Sequence, residues 1–208
     1  GETSETTGML VASNWSDDFI TELSYSTKEQ LTSQASPLGQ NTPFFVIENC
    51  GAAQINCYAG PDEYRSANDL ATETDFLKLK GTIYDDNHTW KFGYEHKNWD
   101  IYNVFIVAQD GRYEFDGLAG LLARTATDFS HNNSRSGTEA GGAAIFDYSL
   151  DSFYIQDEID VSDRLNVLIG LRYDEFDSSD SPALNQGFKD AYGFANGGIA
   201  GTDLLNYR

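Results

Sequence analysis

A strict two-residue alternation in residues 154–176, YIQDEIDVSDRLNVLIGLRYDEF, restricts the possible folds of this chain more than any other sequence feature. Every second side chain of a β-strand points to the same face of its sheet. After a short polar turn, one face of the second strand is apolar, and the other carries polar residues and glycine. The apolar stripe consists of Leu165, Val167, Ile169, Leu171 and Tyr173. The pattern predicts a β-hairpin whose stripe contacts either the core of a soluble β protein or lipid.

The same period of two recurs along the chain and predicts an all-β, antiparallel fold. Five strands are predicted, at roughly residues 17–27, 74–84, 88–108, 145–161 and 165–176, with the end of a sixth near residues 9–12. Each reaches or exceeds the roughly 9–11 residues that a transmembrane β-strand needs. Tight polar turns at 85–87 and 162–163 alternate with long loops at roughly 28–73, 109–144 and 177–208. A brief helix is predicted inside the second loop, at 116–126, with Asp116 as its N-cap. Short turns at one end and long loops at the other are typical of outer-membrane β-barrels.

Aromatic side chains near the predicted strand ends fit the interfacial girdles of a membrane barrel. The candidates for such interfacial contacts are Trp15, Tyr84, Trp90, Trp99 and Tyr154. Aromatic residues also favour strands in general. Their placement therefore supports a membrane barrel only together with the asymmetry of the loops.

The charge of the chain excludes one class of partner. It has 33 Asp and Glu against 13 Lys and Arg, a formal net charge of -20, which repels the phosphates of nucleic acid. No apolar run is long enough for a transmembrane helix. No basic and apolar leader opens the sequence, and its first residue is not Met. The chain is therefore expected to be a mature product or a piece of a longer protein, and no nucleic-acid partner is expected.

Few residues offer reactive chemistry. Cys50 and Cys57 fit a local disulfide formed in an oxidising compartment, or two buried free thiols, better than a zinc site. The three histidines are scattered and are expected to be surface residues. The acidic run at 174–180 lacks the ligand spacing of an EF-hand and favours a solvated loop over a calcium site. No catalytic or nucleotide-binding motif is present, so no enzyme, no cofactor and no metal are expected.

Three segments resemble a known family. YIQDEIDVSDRLNVLIGLRYDEF is similar to a strand–turn–strand segment that recurs in the barrels of TonB-dependent outer-membrane receptors, with QDE…SDRL…GLRYD as its most specific part. HTWKFGYEHKNWDIYNVFIVAQDGRYEFDGLAGL and GPDEYRSANDLATETDFLKLKGTIY resemble other barrel stretches of these receptors. The similarity covers most of residues 15–196 and is closest to the large peptidase-regulatory-associated branch.

The resemblance implies a barrel of about 22 strands, filled by a plug domain, in the outer membrane of a Gram-negative bacterium. Such receptors import scarce nutrients with energy transmitted by the TonB complex. It further implies that the long loops capture an extracellular ligand, that the tight turns face the periplasm and that the stripe faces outer-membrane lipid. Five or six strands are too few for a closed barrel, so the chain is expected to be an internal barrel segment. The alternative left open is a soluble extracellular β-sandwich that binds a partner.

Overall fold

Ten strands and two α-helices form the main regular structure of the described residues. The structure is a computed structural model that describes residues 1–34, 36–39, 41–51, 55–134, 136–180 and 184–193. The strands are β1 (Glu2–Asn14), β2 (Phe19–Ser33), β3 (Phe44–Glu48), β4 (Cys57–Ala59), β5 (Ala67–Asp85), β6 (His88–Ile106), β7 (Arg112–Asp116), β8 (Asp128–Ser130), β9 (Ala144–Ser162) and β10 (Leu165–Asp177). The helices are α1 (Gly117–Ala123) and α2 (Gln186–Tyr192). The prediction of an all-β fold is confirmed.

Six long strands form one sheet in the order β1-β2-β5-β6-β9-β10. They are 13 to 19 residues long, well beyond the average strand of a soluble protein. β9 and β10 are antiparallel, with Arg172 opposite Tyr154 and Ile169 opposite Asp157. β1 and β10 are not neighbours, so the sheet is open among the described residues. All five predicted strands are present, and β1 is the sixth.

Several of these strands extend beyond their predicted bounds. β1 begins at Glu2, β2 continues to Ser33 instead of ending at 27, and β5 begins at Ala67 instead of 74. The extensions lack a clear apolar alternation. The hydrogen-bond ladder between strands joins backbone groups and does not depend on side-chain polarity. The tight turns consist of residues 86–87 and 163–164, so the second lies one residue later than predicted.

A second sheet corrects the prediction of long loops at 28–73 and 109–144. Its order is β4-β3-β7-β8. β3 pairs antiparallel with β4 but parallel with β7, with Phe45 opposite Tyr113. Its strands have only three to five residues, too few to show a period in the sequence. The parallel pair joins residues more than 60 positions apart, which no local pattern predicts.

The two helices lie in segments that the sequence assigns to loops. α1 follows Asp116 at its N-cap position, as predicted, but the Asp116 side chain makes no capping hydrogen bond. The helix ends earlier than predicted, because Arg124 adopts a left-handed conformation with φ 56°. α2 interrupts the predicted loop 177–208 and is capped by the Asn185 side chain, which accepts from Phe188 N–H at 3.0 Å. The remainder of that loop, at 181–183 and 194–208, lies outside the described residues.

The chain divides into two compact units. The first consists of Gly1–Thr3, Gln30–Ala71 and Ile101–Ile145. Its buried apolar side chains include Val104 and Ile106, and it also contains the second sheet. In this unit, Arg112 pairs with Glu114 and with Glu63 at 3.3 Å. Burial lowers the pKa of Arg112, but these carboxylates outweigh it, so the net shift is upward.

The second unit consists of Ser4–Glu29, Thr72–Asp100 and Phe146–Arg208. It holds the central part of the six-stranded sheet and both tight turns. Its fully buried side chains are polar, whereas all the buried apolar side chains of the described residues belong to the first unit. The buried polar residues are Thr82, Glu95, Ser152, Asp157 and Ser178. This distribution is the reverse of a soluble β-sandwich, in which the apolar face of each sheet forms the core.

Candidate functional site

One face of the second unit carries a network of ion pairs. Lys78 lies 2.9 Å from Glu95, and Arg172 lies 3.1 Å from the other carboxylate oxygen of Glu95. Arg172 also contacts Asp174 at 2.8 Å. Glu95 is only 9 % exposed, so its charge is stabilised by two cations instead of by water. These contacts join strands β5, β6 and β10 through side chains that are far apart in the sequence.

The network extends to both sides of this cluster. Lys80 of β5 reaches Glu22 of β2 at 3.1 Å, and Lys91 of β6 reaches Glu158 of β9 at 3.2 Å. Asn166 of β10 donates to Glu158 and, at 2.8 Å, to Asp160. The network therefore crosses five of the six long strands. We refer to the face of the sheet that carries it as the polar face.

A cavity of about 480 Å³ opens on the polar face. Four cationic side chains line it, and Glu95 is the only carboxylate in its lining. The cations are Lys78, Lys80, Lys91 and Arg172. Tyr154, Gln156 and Gly170 complete the polar part of the wall. The lining thus carries four cationic side chains and one carboxylate in a chain that is strongly negative as a whole.

The opposite face is apolar and exposed. On β10, Leu171 is 78 % exposed and Ile169 is 61 % exposed. Leu165 and Tyr173 are exposed as well, and Val167 is half-buried. A shallow apolar groove of about 690 Å³ runs beside them, lined mainly by Leu79, Phe92, Phe153, Ile155 and Leu171. We refer to this surface as the apolar face; it contains the whole predicted stripe.

Two acidic groups on the apolar face, Asp151 and Asp157, are paired with histidine or tyrosine. His88 Nδ1 lies 2.7 Å from Asp157 Oδ2, and His96 Nδ1 lies 2.8 Å from Asp151 Oδ1. Tyr94 donates to the same oxygen of Asp151 at 2.5 Å. Both histidine side chains are more than one-third exposed, in line with the expected surface position, and each also pairs with a carboxylate. Local sequence gives no sign of these pairs, because their members are 55 to 69 positions apart.

No group of three or more metal-binding side chains occurs among the residues the structure describes. Within the acidic run 174–180, Asp174 pairs with Arg172. Asp180 accepts a hydrogen bond from Asp147 N–H at 2.7 Å. These carboxylates act as partners of other protein groups and not as a shared set of ligands.

The five candidate interfacial aromatics occupy different environments. Trp15 and Tyr84 are exposed, and Trp90 stacks on His88 with ring centres 6.0 Å apart. Trp99 stacks on Tyr148 at 4.6 Å. Tyr154 lies directly opposite Arg172 and lines both the cavity and the apolar groove. Interfacial contacts of all five remain predictions.

Cys50 and Cys57 are joined by a disulfide, with 5.8 Å between their Cα atoms. The bond closes the β3–β4 hairpin, where Ile47 lies opposite Cys57. Cys50 N–H also donates to the Ile55 carbonyl at 3.0 Å. The pair therefore fixes the end of the second sheet and takes no part in the polar face.

No helix of the described residues is both long and apolar enough to cross a membrane. Long strands, an exposed apolar face and a charged opposite face define a class of protein, the outer-membrane β-barrels. Residues 8–199 match the family described as outer membrane beta barrel domain. The chain belongs to this family, and its location is the bacterial outer membrane. No curated protein and no solved structure matches it.

Family membership decides between the two interpretations of the sequence at the level of fold and location. The soluble extracellular β-sandwich is incorrect, because the matched family forms barrels in the outer membrane. The expected location is confirmed. Lipid contact by individual residues of the stripe remains a prediction, which their exposure and the polar opposite face support.

Proposed function

We propose that the chain forms part of the barrel wall of a TonB-dependent receptor, which imports a scarce nutrient across the outer membrane. The observation that carries this proposal is the position of the most specific motif. QDE…SDRL…GLRYD occupies the β9–β10 hairpin, at residues 156–174. Its polar members Glu158, Arg172 and Asp174 take part in the ion pairs of the polar face. The charged residues of the motif thus lie on the charged side of the sheet, and its residues Leu171 and Tyr173 lie on the apolar side.

In this proposal the two faces have different partners. The apolar face contacts outer-membrane lipid, and the polar face looks into the barrel, towards a plug domain of the full-length protein. The tight turns face the periplasm, where the TonB complex acts. The second sheet and α1 belong to the extracellular segments that capture the ligand. The chain binds and guides its ligand without catalysis, and no nucleic-acid partner is proposed, since a net charge of -20 repels phosphates.

The strand number supports a larger barrel. Six long strands are present among the described residues, whereas bacterial barrels contain about eight or more. An open sheet with two unpaired edges is unfavourable in lipid, because its backbone groups lack hydrogen-bond partners there. Additional strands must therefore pair with β1 and β10 in the membrane.

The test is made on the natural polypeptide, extracted with detergent from outer membranes and identified by the peptide DEIDVSDR. Its mass is measured, and its binding to the purified periplasmic domain of TonB is then measured by a pull-down. A mass several-fold above 23.0 kDa together with TonB binding is expected. A natural protein of 23.0 kDa, or a larger one that does not bind TonB, overturns the proposal of TonB-dependent import.

A further inference from the structure

We infer that the cavity on the polar face is a binding site for an anion with two or more negative charges, of the phosphate or polycarboxylate class. Four of the 13 Lys and Arg of the chain line this one cavity of about 480 Å³. The chain around them has a net charge of -20. Such a concentration of cationic side chains is not explained by the average composition of the protein.

Three of the carboxylates that pair with these cations do not line the cavity. Glu22, Glu158 and Asp174 contact Lys80, Lys91 and Arg172, but none of the three lines the cavity. Each offsets the charge of its partner, so the wall offers a cluster of cationic hydrogen-bond donors and no large net charge. Only Glu95 shares the wall, and it is already bonded to both Lys78 and Arg172. The cavity therefore presents four cations against one occupied carboxylate.

Each cation also keeps donors for a ligand. A lysine ammonium has three N–H groups, and Lys78, Lys80 and Lys91 each make one hydrogen-bonded ion pair within the described part of the chain. These side chains are about one-third exposed or less, so they are partly fixed and still accessible. A small polyanion could accept from several of them at once, through charge-assisted hydrogen bonds.

The rest of the wall is polar and apolar in turn, with Gln156 and Tyr154 beside Ile155 and Leu171. Gly170 lies opposite Gln156 in the β9–β10 pair and adds no side chain of its own to the wall. The Tyr154 ring lies 5.9 Å from Lys78 Nζ and forms an aromatic side to the cavity. The four cations and the neutral residues between them together fit an anion of a few heavy atoms or an anionic group of a larger molecule.

The experiment measures binding of inorganic pyrophosphate, citrate and acetate to the natural protein in detergent, by isothermal titration calorimetry at low and high salt. Pyrophosphate and citrate are expected to bind and to weaken as salt increases, and acetate is expected not to bind. The double variant Lys80→Gln/Lys91→Gln should bind pyrophosphate at least about tenfold more weakly, because charge-assisted hydrogen bonds are lost.

Lys97→Gln is the matched control. Lys97 lies on the same face of β6 as Lys91, but it packs 4.7 Å from the centre of the Phe76 ring and does not line the cavity. Its removal should leave pyrophosphate binding within about twofold of the unmodified protein, a small effect expected for a screened distant charge. An equal loss in both variants would show attraction by net charge only and overturn the site.

Absence of pyrophosphate and citrate binding to the unmodified protein also overturns the inference, including the case in which acidic groups of a plug already fill the cavity. This part of the experiment uses only the unmodified protein, so misfolding of a variant cannot account for an absence of binding. Binding at equilibrium requires neither TonB nor an energised membrane. Failure here therefore leaves the proposal of TonB-dependent import unchanged, and failure of the TonB pull-down leaves the anion site unchanged.

Discussion

At the scale of single residues, neighbouring positions of β10 distinguish a lipid-facing surface from an interior one. Ile169 lies on the apolar face and is 61 % exposed. We expect Ile169→Arg to lower the free energy of unfolding of the membrane-inserted protein by about 2–4 kcal/mol, the cost of a charge near the middle of the lipid. Reversible urea unfolding of the protein in lipid bilayers measures this change.

The adjacent Leu168 provides the control. It is as exposed as Ile169, but it lies opposite Glu158 on the polar face. Leu168→Arg should therefore cost much less than Ile169→Arg, since the new cation faces a carboxylate and not lipid. Equal costs for the two variants, or a change near zero for Ile169→Arg, would contradict a lipid-facing stripe.

Two glycines are each covered by an aromatic ring, one on either face of the sheet. A Cβ on Gly93 would lie 2.5 Å from the Leu79 carbonyl oxygen and 2.6 Å from the Tyr154 hydroxyl. The three atoms nearest to a Cβ on Gly81 all belong to the Phe92 ring, the closest at 2.5 Å. The ring is a side chain that can rotate away, whereas the Leu79 carbonyl belongs to the backbone of the sheet.

Gly93→Ala is therefore expected to be more destabilising than Gly81→Ala. The expected loss for Gly93→Ala is about 1–3 kcal/mol, as for other overpacked interior sites. Both variants are unfolded with urea under the same conditions, and Gly81→Ala serves as the reference for adding a methyl group to a strand. A smaller loss at Gly93 than at Gly81 would refute the close packing of Tyr154 on this glycine.

At the scale of elements, the strands that carry an apolar stripe could be predicted, and the contacts between distant segments could not. The β9–β10 hairpin follows directly from the alternation in residues 154–176, and β6 from the alternation of Trp90, Phe92 and Tyr94. β1 begins in ETSETTG, where no apolar residue marks a face. Its strand structure follows from backbone pairing in the sheet, which the sequence pattern does not record.

The polar-face cavity could not be located from the sequence for a related reason. The lysines of β5 and β6 are visible as the polar half of each alternation. Their partners Glu22 and Glu158 lie 58 and 67 positions away. Strand order and register decide which charges meet, and both depend on the whole sheet. The sequence predicted which side chains share a face but not which of them form a site.

The disulfide of the second sheet has a local role that can be measured. Replacing both Cys50 and Cys57 with Ser should destabilise the β3–β4 hairpin by about 2–3 kcal/mol, the loop-entropy value for a bond that closes a short loop. Amide hydrogen exchange should therefore become faster at Val46 and Tyr58, which lie opposite each other. Amides of β9 and β10 serve as the internal control and should keep their exchange rates. Unchanged protection of β3 would show that pairing with β7 alone holds this strand.

At the scale of the whole molecule, the two units differ in the kind of side chain that they bury. The first unit buries apolar side chains such as Val104 and Phe115, as a water-exposed domain does. The second buries Glu95 and Ser152 and exposes Leu171 and Ile169. An inverted distribution is stable only where the surrounding solvent is itself apolar. We therefore expect the lipid-facing residues in the second unit and the water-facing segments in the first.

This division predicts an orientation in the membrane. If the tight turns face the periplasm, a cysteine placed at Asp163 should be protected from a membrane-impermeant maleimide on intact cells. A cysteine at Leu122 in α1, which is 83 % exposed, should be labelled on the same cells. The native cysteines Cys50 and Cys57 are expected not to react with the maleimide, because they form a disulfide with each other.

Permeabilised cells provide the control, since there both single-cysteine variants should react and thereby show that each thiol is accessible in the folded protein. The protein without added cysteines should give no label in either preparation. Labelling of Asp163→Cys on intact cells, with Leu122→Cys reacting only after permeabilisation, would reverse the orientation. It would place the tight turns outside the cell and the second sheet in the periplasm, and the proposed capture of an extracellular ligand by that sheet would then be untenable.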